Sequence, residues 1–114
     1  MAFGSDAPVE SPNPFLGLHA AVTRRRADGS PGPDGWTADQ RLDLESALRG
    51  FTTGPAQTAG MADRLGCLEP GCYADLIVLD RDLYEIPAEE IVSVLPRATM
   101  VAGQWVYPEG DPGF

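Results

Sequence analysis

Apolar positions along this chain follow two rhythms, helical in the first half and strand-like in the second. Phe15, Leu18 and Val22 recur at i, i+3 and i+7, the spacing of one helix face. They follow Ser11-Pro12-Asn13-Pro14, which offers an N-cap candidate and prolines suited to a first turn. The spacing predicts a helix over 13–26. Leu44, Leu48 and Phe51 lie on one face of a second helix. Thr37, with Gln40 three residues later, reads as a capping box that opens it, and Gly50 or Gly54 can close it. The stretch 27–35, Ala-Asp-Gly-Ser-Pro-Gly-Pro-Asp-Gly, is a loop by composition. Alanine-rich 55–65 predicts one short helix, or two with a break.

From Gly66 the pattern changes. Glu69-Pro70-Gly71 is a turn, and Ala74-Asp75-Leu76-Ile77-Val78-Leu79-Asp80 is an apolar strand bounded by acids. Residues 86–91 suggest a single helical turn. Residues 99–107 read as a β-hairpin centred near Ala102-Gly103. Helices first and strands afterwards indicate α+β, or pieces of two different domains. A two-stranded hairpin is marginal in water, so these strands call for partner strands that the sequence does not show.

With 114 residues the chain can build one modest core but not a complete α/β barrel, which takes roughly 200 residues or more. Apolar residues make up 43 %, a globular composition. The 13 glycines and 11 prolines favour short elements joined by loops. Net charge is −9, with eight arginines and no lysine. So acidic a chain repels nucleic-acid phosphates and anionic lipid, which sets both aside as partners. Arg24-Arg25-Arg26 is either a local anion contact or the solvated end of a helix whose dipole favours cations.

Two cysteines, Cys67 and Cys72, could close a disulfide. The opening Met-Ala-Phe-Gly-Ser-Asp has neither the basic nor the apolar region of a secretory signal, so reduced thiols and a cytoplasmic location are expected. One histidine, His19, and two cysteines fall short of the ligands a structural zinc site needs. Trp36 and Trp105 read as core or interface aromatics.

Three segments in order resemble the end of an amidohydrolase of the amidohydrolase-3, or N-substituted formamide deformylase-like, branch. They are Gly4-Ser5-Asp6-Ala7-Pro8 with a helix ending Ala21-Val22-Thr23-Arg24, then the run from Leu65 to Asp80, then Thr99 to Tyr107. The resemblance implies an α+β piece of a (β/α)8 barrel protein. Residues 1–65 would hold the end of the last barrel strand and the outer helices. Residues 66–107 would supply the C-terminal strands of a composite β-sandwich, leaving 108–114 as a tail.

Asp6 would then occupy the family's catalytic position, contacting a divalent metal, expected to be zinc, and acting as general base towards a small amide-type substrate. The family's other ligands, a His-x-His pair and later histidines, have no counterpart here. His19 lies on a predicted helix and reads as a packed or surface histidine. The resemblance assigns Cys67 and Cys72 no chemistry, gives Asp75 and Asp80 edge or turn roles, and leaves open whether Arg24 touches substrate. The expectation is a hydrolase segment that is inactive alone. The alternative is a non-catalytic module that binds a partner, or itself, through unpaired strand edges.

Overall fold

The computed structural model describes all of residues 1–114 and shows a small α+β arrangement of three short helices and one antiparallel sheet. Helix α1 spans Pro14–Thr23. Asn13 caps it, its side chain accepting from the N–H of Phe15, which satisfies one of the donors a helix start leaves free. The helix stops three residues short of the predicted end. Arg24 turns left-handed (φ 57°), and its N–H bonds back to the carbonyl of Ala20.

The predicted capping box fails. Thr37 is itself left-handed (φ 50°), its side chain caps nothing, and only a single 3-10 turn, Ala38–Gln40, follows. Its hydroxyl is taken instead by the Trp36 carbonyl and the Arg24 guanidinium. The second helix, α2, is Leu44–Phe51, capped by Asp43. The Asp43 carboxyl lies below its ordinary pKa, held there first by the Ser46 N–H and then by the Ser46 hydroxyl. Helix α3, Thr53–Thr58, is the short alanine-rich helix, and it ends before Gly60.

Strands β1 (Leu76–Leu79), β2 (Pro96–Val101) and β3 (Gln104–Tyr107) form an antiparallel sheet in that order. Leu76 faces Met100, Ile77 faces Thr99, and Met100 faces Trp105. The hairpin turn falls where the sequence put it. Ala102 (φ 50°) and Gly103 (φ 79°) both have positive φ, as a type I′ two-residue turn requires. No further strand covers the outer edges of β1 and β3, where only a local bridge joins Val106 to Glu109, and Ile77, Val101, Val106 and Tyr107 stay about half exposed.

The core draws on both halves of the chain. Phe15 and Leu18 of α1 and Ala47 of α2 pack with Leu83, Ile91 and Val94, the last two flanking or within the 3-10 helix Ala88–Ser93. Leu44, Leu48 and Phe51 line it from α2. Burying Ile91 and Val94 completely contributes about 1.5–3 kcal/mol each. Arg25, two residues past the end of α1, pairs with Glu89 of the 3-10 helix at 3.2 Å.

Two further expectations change. The thiols are not free: Cys67 and Cys72 are joined by a disulfide. The Pro70-Gly71 turn, closed by the Cys72 N–H on the Glu69 carbonyl, brings their Cα atoms to 6.3 Å, within bridging reach. Of the two roles expected for Trp36, core or interface, the core one fails, because its side chain stands largely in solvent. Trp105 is partly covered and packs edge-on against Phe114. No helix is long and apolar enough to cross a membrane.

Candidate functional site around the Asp6 loop

The segment ahead of Asp6 belongs to no strand and is held against the helices. The Phe3 N–H donates to the Gly50 carbonyl at 2.7 Å, and the Phe3 ring meets Phe51 at 5.3 Å between centroids. Glycine makes this approach possible. A Cβ on Gly50 would lie 2.5 Å from the Phe3 ring, and one on Gly54 would lie 1.8 Å from the Met1 carbonyl oxygen.

Asp6 follows at a sharp turn. It has φ 50°, and its carbonyl accepts from the N–H of Val9 at 2.8 Å. Its side chain is exposed and makes no hydrogen bond or ion pair within the chain. A carboxylate in that state is free to accept a proton or contact a cation. Beside it, Ser5, Asn13, Leu16, Arg25 and Phe51 are among the residues lining an open cavity of about 730 Å³.

The remaining candidates are not gathered at Asp6. His19 is 4 % exposed within α1. The Thr23 hydroxyl donates to the His19 carbonyl at 2.8 Å, so its contact with Nε2 at 3.4 Å makes Nε2–H the donor. That leaves Nδ1 as a buried acceptor without a partner. Burial, and then the charge of Arg25, push the imidazole below its ordinary pKa. His19 is therefore a core residue. Nowhere do three His, Cys, Asp or Glu side chains come together in a way that could hold a metal. The donor set of this chain does not fit a divalent metal by itself.

Arg24 is also accounted for structurally. Its guanidinium donates to the Trp36 carbonyl and to the Thr37 hydroxyl, both at 3.1 Å. Sequence reasoning missed two features. Asp43 is the cap of α2, legible in hindsight as an acid three residues before Ser46 and just ahead of Leu44. A second concavity of about 450 Å³ lies between Arg24, Arg26, Ser30 and Trp36; only the run of three arginines hinted at it.

Comparison with known proteins agrees with the ordered motifs. The amidohydrolase family model matches residues 1–107, and the chain belongs to that family. It is 31 % identical over 106 residues to YtcJ of Bacillus subtilis (strain 168), whose name describes it as an amidohydrolase, covering 93 % of this chain and 20 % of that protein. It is 34 % identical over 108 residues to LONG AFTER FAR-RED 3 of Arabidopsis thaliana, covering 95 % and 18 %. It is 30 % identical over 103 residues to the N-substituted formamide deformylase of Arthrobacter pascens, covering 90 % and 18 %. The chain thus spans about a fifth of the length of these relatives. No solved structure matches it.

Proposed function

We propose that this chain is a segment of a metal-dependent hydrolase that acts on non-peptide carbon–nitrogen bonds, such as those of amides or formamides. Asp6 is the carboxylate in the metal-contacting, general-base position, and residues outside these 114 supply the other ligands. The observation that carries the reading is the family match running through Gly4-Ser5-Asp6. The exposed and unpaired state of the Asp6 side chain supports it. The deformylase relative bears on the substrate class by its name. In this reading the remainder of the barrel and the partner strands of a composite β-sandwich lie in the rest of the polypeptide, and the isolated chain is inactive.

Two assays test it. The purified chain, with and without added zinc, is offered a panel of N-acyl and N-formyl substrates. Turnover by this chain alone, abolished by Asp6→Asn, would overturn the claim that its site is incomplete. In the natural polypeptide that contains this sequence, Asp6→Asn should lower kcat by about 10²–10⁴-fold without moving Tm. Undiminished activity of that variant would remove Asp6 from the site.

A second reading rests on the outer edges of β1 and β3, which no further strand covers. An unpaired edge is a template for strand addition, and a non-catalytic module could use it to bind a partner or a second copy. Light scattering separates the two: a dimer that binds no metal favours the module.

A further inference from the structure

The eight guanidinium groups are not equivalent. Arg25, Arg49, Arg64 and Arg81 pair with carboxylates. Arg97 lies over the Phe114 ring, and Arg24 and Arg41 donate to neutral oxygens. The Arg26 side chain alone has no hydrogen-bond, ion-pair or aromatic partner. In a chain of net charge −9, the two arginines without a carboxylate nearest to each other in sequence, Arg24 and Arg26, stand at one concavity.

The concavity is built by a closed loop. The Trp36 N–H donates to the Arg24 carbonyl at 2.8 Å while the Arg24 Nε donates to the Trp36 carbonyl, so the two ends of residues 24–36 are clasped. Within the loop the Arg26 N–H donates to the Ser30 carbonyl at 2.9 Å, and Arg25 donates to the Pro33 carbonyl. Asp28, the acid that feels Arg26, is turned onto Ser30. Its carboxyl is held below its usual pKa first by the Ser30 N–H and then by the Ser30 hydroxyl. The Arg25 Nε, on the same wall, is buried without a partner. The exposed Trp36 indole completes the niche. Guanidinium groups recognise carboxylates through directed N–H donors, and an exposed indole offers a flat apolar face.

We propose that this niche binds a small organic acid, its carboxylate on Arg26 and its planar apolar body against Trp36. The larger cavity shares Ala20, Arg25 and Arg26 with the niche and extends to Ser5, the neighbour of Asp6. Resting on the reading of Asp6 given above, the substrate class narrows to amides that carry a carboxylate.

The test is a titration of the ¹⁵N-labelled chain with benzoate at low ionic strength, followed on the Trp36 indole N–H and the amides of Arg26 and Ser30. The expected result is saturable shifts at those groups, abolished by salt and absent with neutral benzamide. Arg26→Gln keeps much of the stem and should weaken binding on the order of tenfold, while the spectrum reports whether the fold is intact. Arg26→Lys, which keeps the charge, should retain part of the binding and provides a second variant if the first unfolds. Equal shifts with benzamide, equal shifts with inorganic phosphate, or indifference to both substitutions would overturn the proposal. Binding requires no turnover. Benzoate bound to the chain, with Asp6 dispensable in the natural polypeptide, would spare the niche and sink the catalytic reading; Asp6-dependent turnover by that polypeptide without benzoate shifts would do the reverse.

Discussion

Asp75 accepts a 2.7 Å hydrogen bond from the backbone N–H of Ala102, 27 residues further along the chain. At the other end of β1, Asp80 accepts from the Leu95 N–H at 3.0 Å, while its own N–H donates to the Leu95 carbonyl. The two acids that bound this strand thus clamp the start and the end of the returning strand and its turn. Replacing Asp75 by Ala removes the acceptor and should cost about 0.5–1.5 kcal/mol, read from the urea midpoint. Asp75→Asn keeps an acceptor oxygen and should lose less. Equal losses from both would show that the charge, not the bond, matters.

Ala102 carries a left-handed backbone in the hairpin turn, which costs a non-glycine residue about 1–2 kcal/mol. Ala102→Gly should therefore stabilise the chain, by somewhat less than that because glycine also gains freedom when unfolded. A raised Tm with an unchanged hairpin is the expected outcome; a lowered Tm would mean the turn is not I′ in solution.

Gly54 lies under the Met1 carbonyl, with no flexible side chain between them to give way. Gly54→Ala should push the first residues off the helices and free the Asp6 loop. Hydrogen exchange at the Phe3 amide, bonded to Gly50 in the folded chain, should speed up markedly while the amides of β2 stay protected. Overpacking of this kind typically costs about 1–3 kcal/mol.

His19 ties stability to pH. Its folded pKa is depressed below 6.5, first by burial and then by Arg25, with Glu89 opposing. The unfolded chain consequently binds more protons as pH falls below 6.5, so stability declines there and is level above it. His19→Gln should flatten that limb of the urea midpoint plotted against pH. A limb that survives the substitution would assign the effect to other groups.

The disulfide closes a loop with its cysteines five positions apart. Chain-entropy arguments put the loss on reduction at about 2 kcal/mol for so short a loop. Intact mass with and without reductant should differ by two hydrogens, and Cys67→Ser should match the reduced chain in Tm.

The sequence was most readable where an apolar run bounded by acids, Leu76–Leu79, and a two-residue turn signal, Ala102-Gly103, stood out from their surroundings. It misled at Thr37, where the capping-box pattern was genuine but the hydroxyl had stronger local company in Trp36 and Arg24. A four-residue pattern carries no information about such tertiary claims. The same applies to Cys67 and Cys72, whose pairing depends on how tightly Pro70-Gly71 turns. Asp6 could be singled out because its neighbours form a family motif. The niche at Trp36 could not, because it exists only once residues 24 and 36, remote in sequence, are clasped together.

Arg24 ends α1 with its backbone and fastens Trp36 with both its carbonyl and its guanidinium. One position thereby answers to two separate demands, where a helix stops and how an indole is presented. Exchange there by lysine or glutamine would satisfy the first and keep the backbone bond to Trp36, but would lose the paired guanidinium donation to the Trp36 carbonyl and the Thr37 hydroxyl, so drift at this site should be narrow even if neither demand alone were stringent.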